Sequence, residues 1–131
     1  MNESYKHSEL TELIIKAFYE VYNKLGFGFL EKVYENALLI ELEKSGLSAK
    51  SQIPIDVFYD KQRVGVYFAD IIVEELVIIE LKTGEDLIQV HEAQLLNYLK
   101  ATDMEIGLLL NFGKTPQVKR KAFSNQYKNH H

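Results

Sequence analysis

The sequence of 131 residues has no cysteine, only two prolines and no long apolar run. Without cysteine there are no disulfides, no thiolate metal ligands and no cysteine nucleophile, which fits a reducing cytosol. The longest apolar runs, such as residues 76–79, have the length of a strand and fall short of the roughly 18 residues of a membrane span. The N-terminus is polar and mixed in charge, unlike a signal peptide. We therefore expect a cytoplasmic protein that is not inserted in a membrane.

Acidic residues are absent from the C-terminal segment. From Gly113 to the end there is no Asp or Glu, although the whole chain has a net charge of −4. The segment carries five Lys or Arg residues, so the preceding part has ten basic and 19 acidic residues, a balance of −9. Because such asymmetry can mark a surface that faces a polyanion, we predict nucleic-acid contacts from Lys114, Lys119, Arg120 and Lys121. A solvated terminal strand and tail is the alternative.

The length suits one compact domain, with a core of about 8–123. Apolar residues at helical spacing predict helices over about 8–25 and 30–45. Ser8 is the expected N-cap of the first helix, and Gly46 the residue that follows the C-cap of the second. The pattern then predicts strands over 53–59, 63–73 and 76–82, a helix over 87–101, a buried strand over 105–112 and an edge strand over 117–123.

The order of these elements, ααβββαβ(β), limits the topology. Short connections between the first three strands predict an antiparallel meander. The crossover through the third helix should place the fourth strand parallel to the third. The expected fold class is therefore α/β, with a mixed four- to five-stranded sheet flanked by helices.

Three charged residues on the second and third strands are candidates for a metal site. Glu80 and Lys82 are two residues apart on one strand and therefore project from the same face. If Asp70 on the neighbouring strand lies beside Glu80, two carboxylates converge, and a divalent cation relieves their repulsion. Mg²⁺ suits such a site, since one or two carboxylates and several waters commonly hold it. The alternative is a cross-strand ion cluster on a solvated face.

The register between these strands decides whether the site can form. Asp70 and Glu80 share a face if the paired residue numbers sum to 150, which leaves Glu74, Glu75 and Leu76 as the loop. A two-residue loop would place Asp70 on the opposite face. Because the loop lacks the glycine usual in three-residue hairpins, we expect a bulge. The sequence leaves both registers open.

Two helices carry further polar residues. His91, Gln94 and Tyr98 lie on one face of the third predicted helix, where the two polar tips of Gln94 and Tyr98 can orient water or contact phosphate. Glu31 lies in the first turn of the second helix, where a carboxylate also simply favours the helix N-terminus. A helix surface with a half-buried tyrosine is the alternative for the first group.

Several segments resemble, in the same order, the GxxExxY family, a branch of the PD-(D/E)xK nuclease superfamily. These segments are LGFGFLEKVYE at 25–35, AD at 69–70, IELK at 79–82, AQLLNYL at 93–99 and GLLLNFG at 107–113. Together they span about 10–123, and they are more specific in combination than alone. The resemblance implies a PD-(D/E)xK nuclease-like fold for a single domain over 1–131.

The resemblance also implies roles for individual residues. Asp70 and Glu80 match the metal-binding carboxylates of the superfamily, and Lys82 matches the lysine that orients water. Glu31 matches the helical acidic residue that helps to hold the metal or its water. Gln94 and Tyr98 resemble the Q-x-x-x-Y motif of RecB-like nucleases.

These residues favour a nuclease that uses Mg²⁺ or Mn²⁺ to hydrolyse phosphodiester bonds, with DNA preferred to RNA as the partner. Asp70, Glu80, Lys82, Gln94 and Tyr98 are the expected catalytic residues. The expected site lies on the sheet face that the Glu31 helix covers. The alternative is a non-catalytic module on the same fold that binds nucleic acid or protein, with a homodimer as one arrangement. The net negative charge and small size favour that module, whereas the intact acidic and lysine positions favour the nuclease.

Overall fold

The computed structural model describes residues 6–86 and 89–128. It contains three helices, five strands and a short 3₁₀ turn within those residues. In chain order they are α1 (Ser8–Leu25), α2 (Glu31–Lys44), β1 (Ala49–Tyr59), β2 (Gln62–Val73), β3 (Val77–Lys82), α3 (Gln89–Lys100), β4 (Ile106–Phe112), β5 (Pro116–Ala122) and the 3₁₀ turn Asn125–Tyr127. The predicted order ααβββαβ(β) is confirmed. The start of the third helix, predicted at residue 87, lies outside the described residues.

The five strands form one sheet in the order β1-β2-β3-β4-β5. The first three are antiparallel, β4 is parallel to β3, and β5 is antiparallel to β4. The mixed sheet and the crossover through α3 were therefore predicted correctly. β4 is buried along its whole length, as expected of a strand covered on both faces.

Helices cover the two faces of the sheet and create two apolar cores. The larger core joins α1 and α2 to the sheet through side chains such as Phe18, Tyr34 and Phe112. The smaller core joins α3 to the opposite face through Leu95 and Leu99. No helix in the described part of the chain is long and apolar enough to cross a membrane.

The ends of the first two helices differ in how well the sequence predicted them. α2 ends as expected, because the Gly46 N–H donates to the Glu43 carbonyl and the Leu47 N–H donates to the Leu42 carbonyl. Ser8, by contrast, is the first residue of α1, and His7 occupies the cap with no side-chain hydrogen bond. The N-cap prediction for Ser8 is therefore wrong.

The β2–β3 connection sets the register that the candidate site requires. Ile71 pairs with Ile79 and Val73 with Val77, so that paired residue numbers sum to 150. The loop contains three residues, and Glu74 and Glu75 both adopt positive φ (54° and 57°). The expected bulge is absent from this hairpin, because two glutamates take the left-handed conformation that usually selects glycine. The register shift lies instead between β1 and β2, at Val57 and Phe58.

Candidate active site

The candidate site lies where the backbone ladder between β2 and β3 ends. The last ladder pair on this side is Ile71 with Ile79. Beyond it, the Asp70 N–H donates to Glu80 Oε2 at 2.8 Å, and the Leu81 N–H donates to Asp70 Oδ2 at 2.8 Å. Each carboxylate therefore satisfies a backbone N–H on the neighbouring strand, which would otherwise be unpaired and costly. These exchanges bring Asp70 and Glu80 together between the diverging strands.

Glu80 and Lys82 point to the face that α3 covers. Their neighbours Ile79 and Leu81 are buried in the core beneath α1 and α2, as the alternation of side chains along a strand requires. The expectation that the site lies on the face covered by the Glu31 helix is therefore wrong for Glu80 and Lys82. The helix order along the chain carries no information on which helix covers which face.

A cavity of about 170 Å³ opens between β3 and α3. Glu80, Lys82, Val90, His91 and Gln94 line this cavity. Lys82 thus shares a cleft with Glu80, and the polar face of α3 forms the opposite wall. Among the described residues, His91 Nδ1 is buried and has no hydrogen-bond partner.

Tyr98 lies one turn beyond Gln94 and is buried. Gln94 Nε2 donates to Tyr98 Oη at 2.9 Å, and the Tyr98 ring lies 5.3 Å from that of Tyr67. Burial is the main cause that raises the pKa of Tyr98, followed by the nearby charge of Glu80. The structure therefore places Gln94 on the α3 wall of the cavity, opposite Glu80, with Tyr98 behind it and joined to it by a hydrogen bond.

Glu31 approaches the site from the start of α2. Burial raises its pKa, the charge of Asp70 raises it further, and Lys82 opposes the shift. Glu31 is thus in electrostatic reach of Asp70 and Lys82. However, no three His, Cys, Asp or Glu side chains among residues 6–86 and 89–128 form a group that could hold a metal ion. The metal-binding role of Glu31 beside Asp70 and Glu80 stays a prediction.

Two residues that sequence reasoning missed extend the acidic cluster. Glu35 is buried, pairs with Lys32 and accepts a hydrogen bond of 2.8 Å from Gln52 Nε2. Gln52 also hydrogen-bonds Asp70, and the charge of Glu35 raises the pKa of Asp70. Glu35 could have been found, because it lies four residues after Glu31 on the same helix face. Gln52 had no signal, because it lies opposite Asp70 only through the β1–β2 register and has an unusual positive φ of 52°.

Burial of like charges perturbs the pKa values of the paired carboxyls. Glu80 is 6% exposed. Burial first and the charge of Asp70 second raise its pKa from 4.5 to about 8, against the hydrogen bond from the Asp70 N–H and the charge of Lys82. Burial likewise raises the pKa of Asp70, opposed by the hydrogen bond from Leu81. The site therefore holds a proton near neutral pH, or requires a cation to ionise fully.

The donor set fits one divalent cation bound through two carboxylates. Asp70 and Glu80 are hard oxygen donors, and Mg²⁺ commonly uses one or two such groups while it retains water. Burial first, and a neighbouring carboxylate in addition, raises the pKa of both groups, so a bound cation would favour their ionised forms. Asp70 and Glu80 are thus the residues that could hold a metal, with Glu31 contributing negative charge beside them.

A buried amide anchors the loop that follows Lys82. Asn111 pairs with Lys82 across the parallel β3–β4 ladder, and its Nδ2 donates to the Gly84 carbonyl at 2.9 Å. A Cβ on Gly113 would lie 2.2 Å from the same carbonyl oxygen, so only glycine fits there. The sequence signal for this anchoring role was an asparagine inside an otherwise apolar strand, and the prediction of site residues did not use that signal.

The four predicted nucleic-acid contacts do not form one surface. Lys119 and Lys121 pair with Leu109 and Gly107 on β4, and Lys121 forms an ion pair of 2.6 Å with Glu92 on α3. Arg120 projects to the opposite face, where it donates to the Lys6 carbonyl. Consecutive strand residues alternate in direction, so Arg120 lies on the other face from Lys119 and Lys121, and the four nucleic-acid contacts stay a prediction. Lys114 is exposed in the β4–β5 turn.

Comparisons with known proteins agree with this geometry. The family model of the PD-(D/E)XK nuclease superfamily matches residues 8–122. The chain is also similar to the crystal structure of SSO0001, with a TM-score of 0.53 and 22% identity. That alignment covers 92% of this chain and 60% of SSO0001, so the chain spans less than two thirds of that protein, and the likeness concerns the fold. A search of the curated proteins gave no match.

Proposed function

The chain belongs to the PD-(D/E)XK nuclease superfamily, and we propose that it is a metal-dependent nuclease that hydrolyses phosphodiester bonds in nucleic acid, DNA rather than RNA. One observation carries the proposal. The Asp70 N–H donates to the Glu80 carboxylate, the Leu81 N–H donates to the Asp70 carboxylate, and Lys82 lines the same cleft as Glu80. The resemblance to the GxxExxY branch is consistent with the same residues.

The carboxylates of Asp70 and Glu80 would hold Mg²⁺ or Mn²⁺, which when bound lowers the pKa of water and polarises the phosphate. The backbone N–H groups of Asp70 and Leu81 fix one oxygen of each carboxylate, Glu80 Oε2 and Asp70 Oδ2. Because the carboxylates are positioned by the ladder ends of two strands, their geometry is built into the sheet rather than into a loop.

Lys82 would orient the attacking water and offset the negative charge that develops on the phosphate. Its position fits this role, because it shares the cavity with Glu80 and lies within electrostatic reach of Asp70 and Glu31. Gln94 and Tyr98 would contact the phosphate or its water from the α3 wall. Their mutual hydrogen bond holds the Gln94 amide next to Tyr98.

A nuclease assay on labelled single-stranded and duplex DNA and RNA tests the proposal. We expect cleavage that requires Mg²⁺ or Mn²⁺, disappears with chelator, and is reduced at least about 100-fold by Lys82→Ala, the scale of removing one transition-state contact. Lys16→Ala, on the exposed face of α1, is the matched control. Cleavage that survives in Lys82→Ala would contradict the assignment.

A non-catalytic binding module is the second candidate. The net charge of −4 favours it, because proteins that hold nucleic acid by electrostatic attraction are usually basic. Calorimetry with Mn²⁺ distinguishes the two candidates. A nuclease should bind the ion and lose binding in Asp70→Ala, whereas a module without catalysis should show no binding in either protein.

A further inference from the structure

A second concave surface lies beyond the C-terminal ends of β3 and β4, and none of its lining residues takes part in the proposed chemistry. Its volume is about 340 Å³, within the range of small-molecule sites. We call it the aromatic groove. It is lined by Phe27, Gly28, Phe29, Thr83, Gly84, Glu85, Phe112, Gly113 and Lys114.

Two phenylalanines on the wall of the aromatic groove are exposed to solvent. Phe27 is 55% exposed and Phe29 is 47% exposed. Phe18, Tyr34 and Phe112 form the aromatic part of the core, and Phe29 meets it edge-on, with its ring 6.1 Å from that of Tyr34. Exposed large apolar side chains that line a groove mark an interaction site more often than scattered ones do.

The backbone holds these phenylalanines in place. The Tyr34 hydroxyl donates to the Gly26 carbonyl at 2.6 Å and accepts from the Phe29 N–H at 3.3 Å. Between them, Gly28 has φ +112°, a conformation that residues with a side chain rarely adopt. The rings are therefore presented by a fixed turn, which reduces the entropy lost when a ligand binds.

The opposite wall of the groove is fixed as well. Asn111 holds the Gly84 carbonyl. The Tyr22 hydroxyl lies 2.8 Å from the Gly113 carbonyl and 2.7 Å from the Lys114 carbonyl. Both walls are thus anchored to buried or partly buried side chains of the core.

Each wall of the groove is close in sequence to a residue of the candidate site. Phe29 precedes Glu31 by two residues, and Thr83 directly follows Lys82. Glu31 and Lys82 are themselves within electrostatic reach of each other. A nucleic-acid strand whose scissile phosphate lies beside Lys82 would therefore place its neighbouring nucleotides over the aromatic groove.

We infer that the aromatic groove is a stacking subsite for an unpaired base, so that the substrate is single-stranded nucleic acid or a frayed end. Aromatic side chains beside a cationic group are the usual means of binding single strands, because every base has a face that can stack. Lys114 supplies the cation on the groove wall, while Thr83 and Glu85 supply polar atoms for the edge of a base. In a duplex the base faces are already stacked on each other and are not accessible to Phe27. The inference rests on the proposed function for its location beside a cleavage site.

A protein segment or a second copy of the chain is a poorer match to this surface. The groove is short and mixes its two exposed rings with Thr83, Glu85 and Lys114, whereas a stable protein interface requires a larger apolar centre. This alternative is one outcome of the test below.

The chain has no tryptophan, so Phe27→Trp introduces a single fluorescent reporter into the groove. The probes are a single-stranded oligothymidylate, a duplex of equal length, and an abasic strand that retains the phosphates without bases. Titration is done with Mg²⁺ in the Lys82→Ala background, so that the probes are not cut. We expect the single strand to quench the tryptophan, and the duplex and the abasic strand to leave it unchanged.

Affinity measurements on Phe27→Ala and Phe27→Leu complete the test. Each should bind the single strand about 5-fold to 150-fold more weakly, the equivalent of losing one stacked base. Phe58→Ala is the matched control, because Phe58 is 47% exposed in β1 and lies outside the groove. Phe27 is mainly exposed, so thermal melting should show that all variants are folded.

Four results would overturn the inference: equal quenching by the abasic strand, equal quenching by the duplex, unchanged affinity in Phe27→Ala, or full affinity in Phe27→Leu. If Phe27→Ala changed the molecular mass of the protein in solution but left its affinity for the single strand unaltered, the groove would be assigned to protein association. That result would also overturn the inference. The proposed function fails separately. Quenching by the single strand without cleavage by the unmodified protein would remove the nuclease assignment and support the stacking subsite. Cleavage by the unmodified protein without quenching would support the nuclease assignment and remove the stacking subsite.

Discussion

Replacing Glu80 with glutamine should reveal a cost that the active-site carboxylate imposes on the fold. Burial and Asp70 raise the pKa of Glu80 from 4.5 to about 8 in the metal-free protein. Between these values the folded state binds a proton that the unfolded state has released. The stability associated with this proton is fully present below pH 4.5 and is lost as the pH rises toward 8.

The size of the effect follows from the same two values. At about 1.36 kcal/mol per pH unit, the interval from 4.5 to about 8 corresponds to at most about 5 kcal/mol, of which about 3 kcal/mol is lost by pH 7. Glu80→Gln has no proton to lose and retains an oxygen that can accept from the Asp70 N–H. The difference in unfolding free energy between Glu80→Gln and wild type should therefore grow by up to about 3 kcal/mol between pH 4.5 and 7.

Urea denaturation in EDTA at half-unit steps from pH 4.5 to 8 measures this difference. Perturbed groups that do not interact with Glu80 are the same in both proteins, so the comparison reports Glu80 together with its coupling to Asp70. Glu105→Gln is a control of opposite sign, because a hydrogen bond from Lys6 lowers the pKa of Glu105. The stability that ionised Glu105 contributes is lost only as the pH falls below the ordinary pKa of a glutamate. The difference in unfolding free energy between Glu105→Gln and wild type should therefore be constant above pH 5.

Added Mg²⁺ provides a second measurement of the same group. Because a bound cation favours the ionised form, metal binding by wild type at pH 7 should release about one proton. Calorimetry in two buffers of different ionisation enthalpy reports that number. Parallel stability curves for Glu80→Gln and wild type, together with metal binding that releases no proton, would refute the reasoning.

Three further predictions concern separate parts of the structure. Lys82→Ala should abolish cleavage but retain Mn²⁺ binding in calorimetry, whereas loss of both would make the lysine structural. Gly113→Ala should lower the unfolding free energy in urea by about 1–3 kcal/mol, since the new Cβ meets the Gly84 carbonyl at 2.2 Å; an unchanged midpoint would show that the loop yields freely. Lys119→Ala should reduce the slope of log K against log salt for nucleic-acid binding by about one, whereas Arg120→Ala, on the other face, should leave it unchanged. Equal slopes in those two variants would contradict the division of the basic residues.

The sequence predicted the element order because each element carries a strong and separate periodic signal. α1 was predicted at the residues where it is found, since apolar side chains recur along it every three or four residues. The order then determined most of the topology, because short loops require antiparallel neighbours and a helical crossover gives a parallel pair. Asp70, Glu80 and Lys82 could be named for the same reason, as charged residues in strands that are otherwise apolar.

The remaining features depend on long-range pairing, which periodicity does not report. The left-handed pair Glu74 and Glu75 sets the β2–β3 register, yet neither residue type signals that conformation. Gln52 reaches Asp70 only because β1 begins four residues earlier than the pattern suggested. The face of the sheet on which Glu80 lies depends on which helix packs there, and that is a property of the assembled layers.

The upward direction of the Glu80 pKa shift indicates whether the carboxylates of the site serve stability or function. A cross-strand ion cluster that existed for stability would hold its charges in a favourable state, with carboxyl pKa values below the ordinary range. Asp70, Glu80 and Glu31 all shift upward instead, and one nearby lysine does not compensate for three buried or half-buried carboxyls. A neutral amide oxygen can also accept the hydrogen bonds that Glu80 and Asp70 accept from the Asp70 and Leu81 N–H groups, so backbone satisfaction does not require the charge. The negative charge therefore destabilises the metal-free protein near neutral pH, and a bound cation is the partner that would offset that cost.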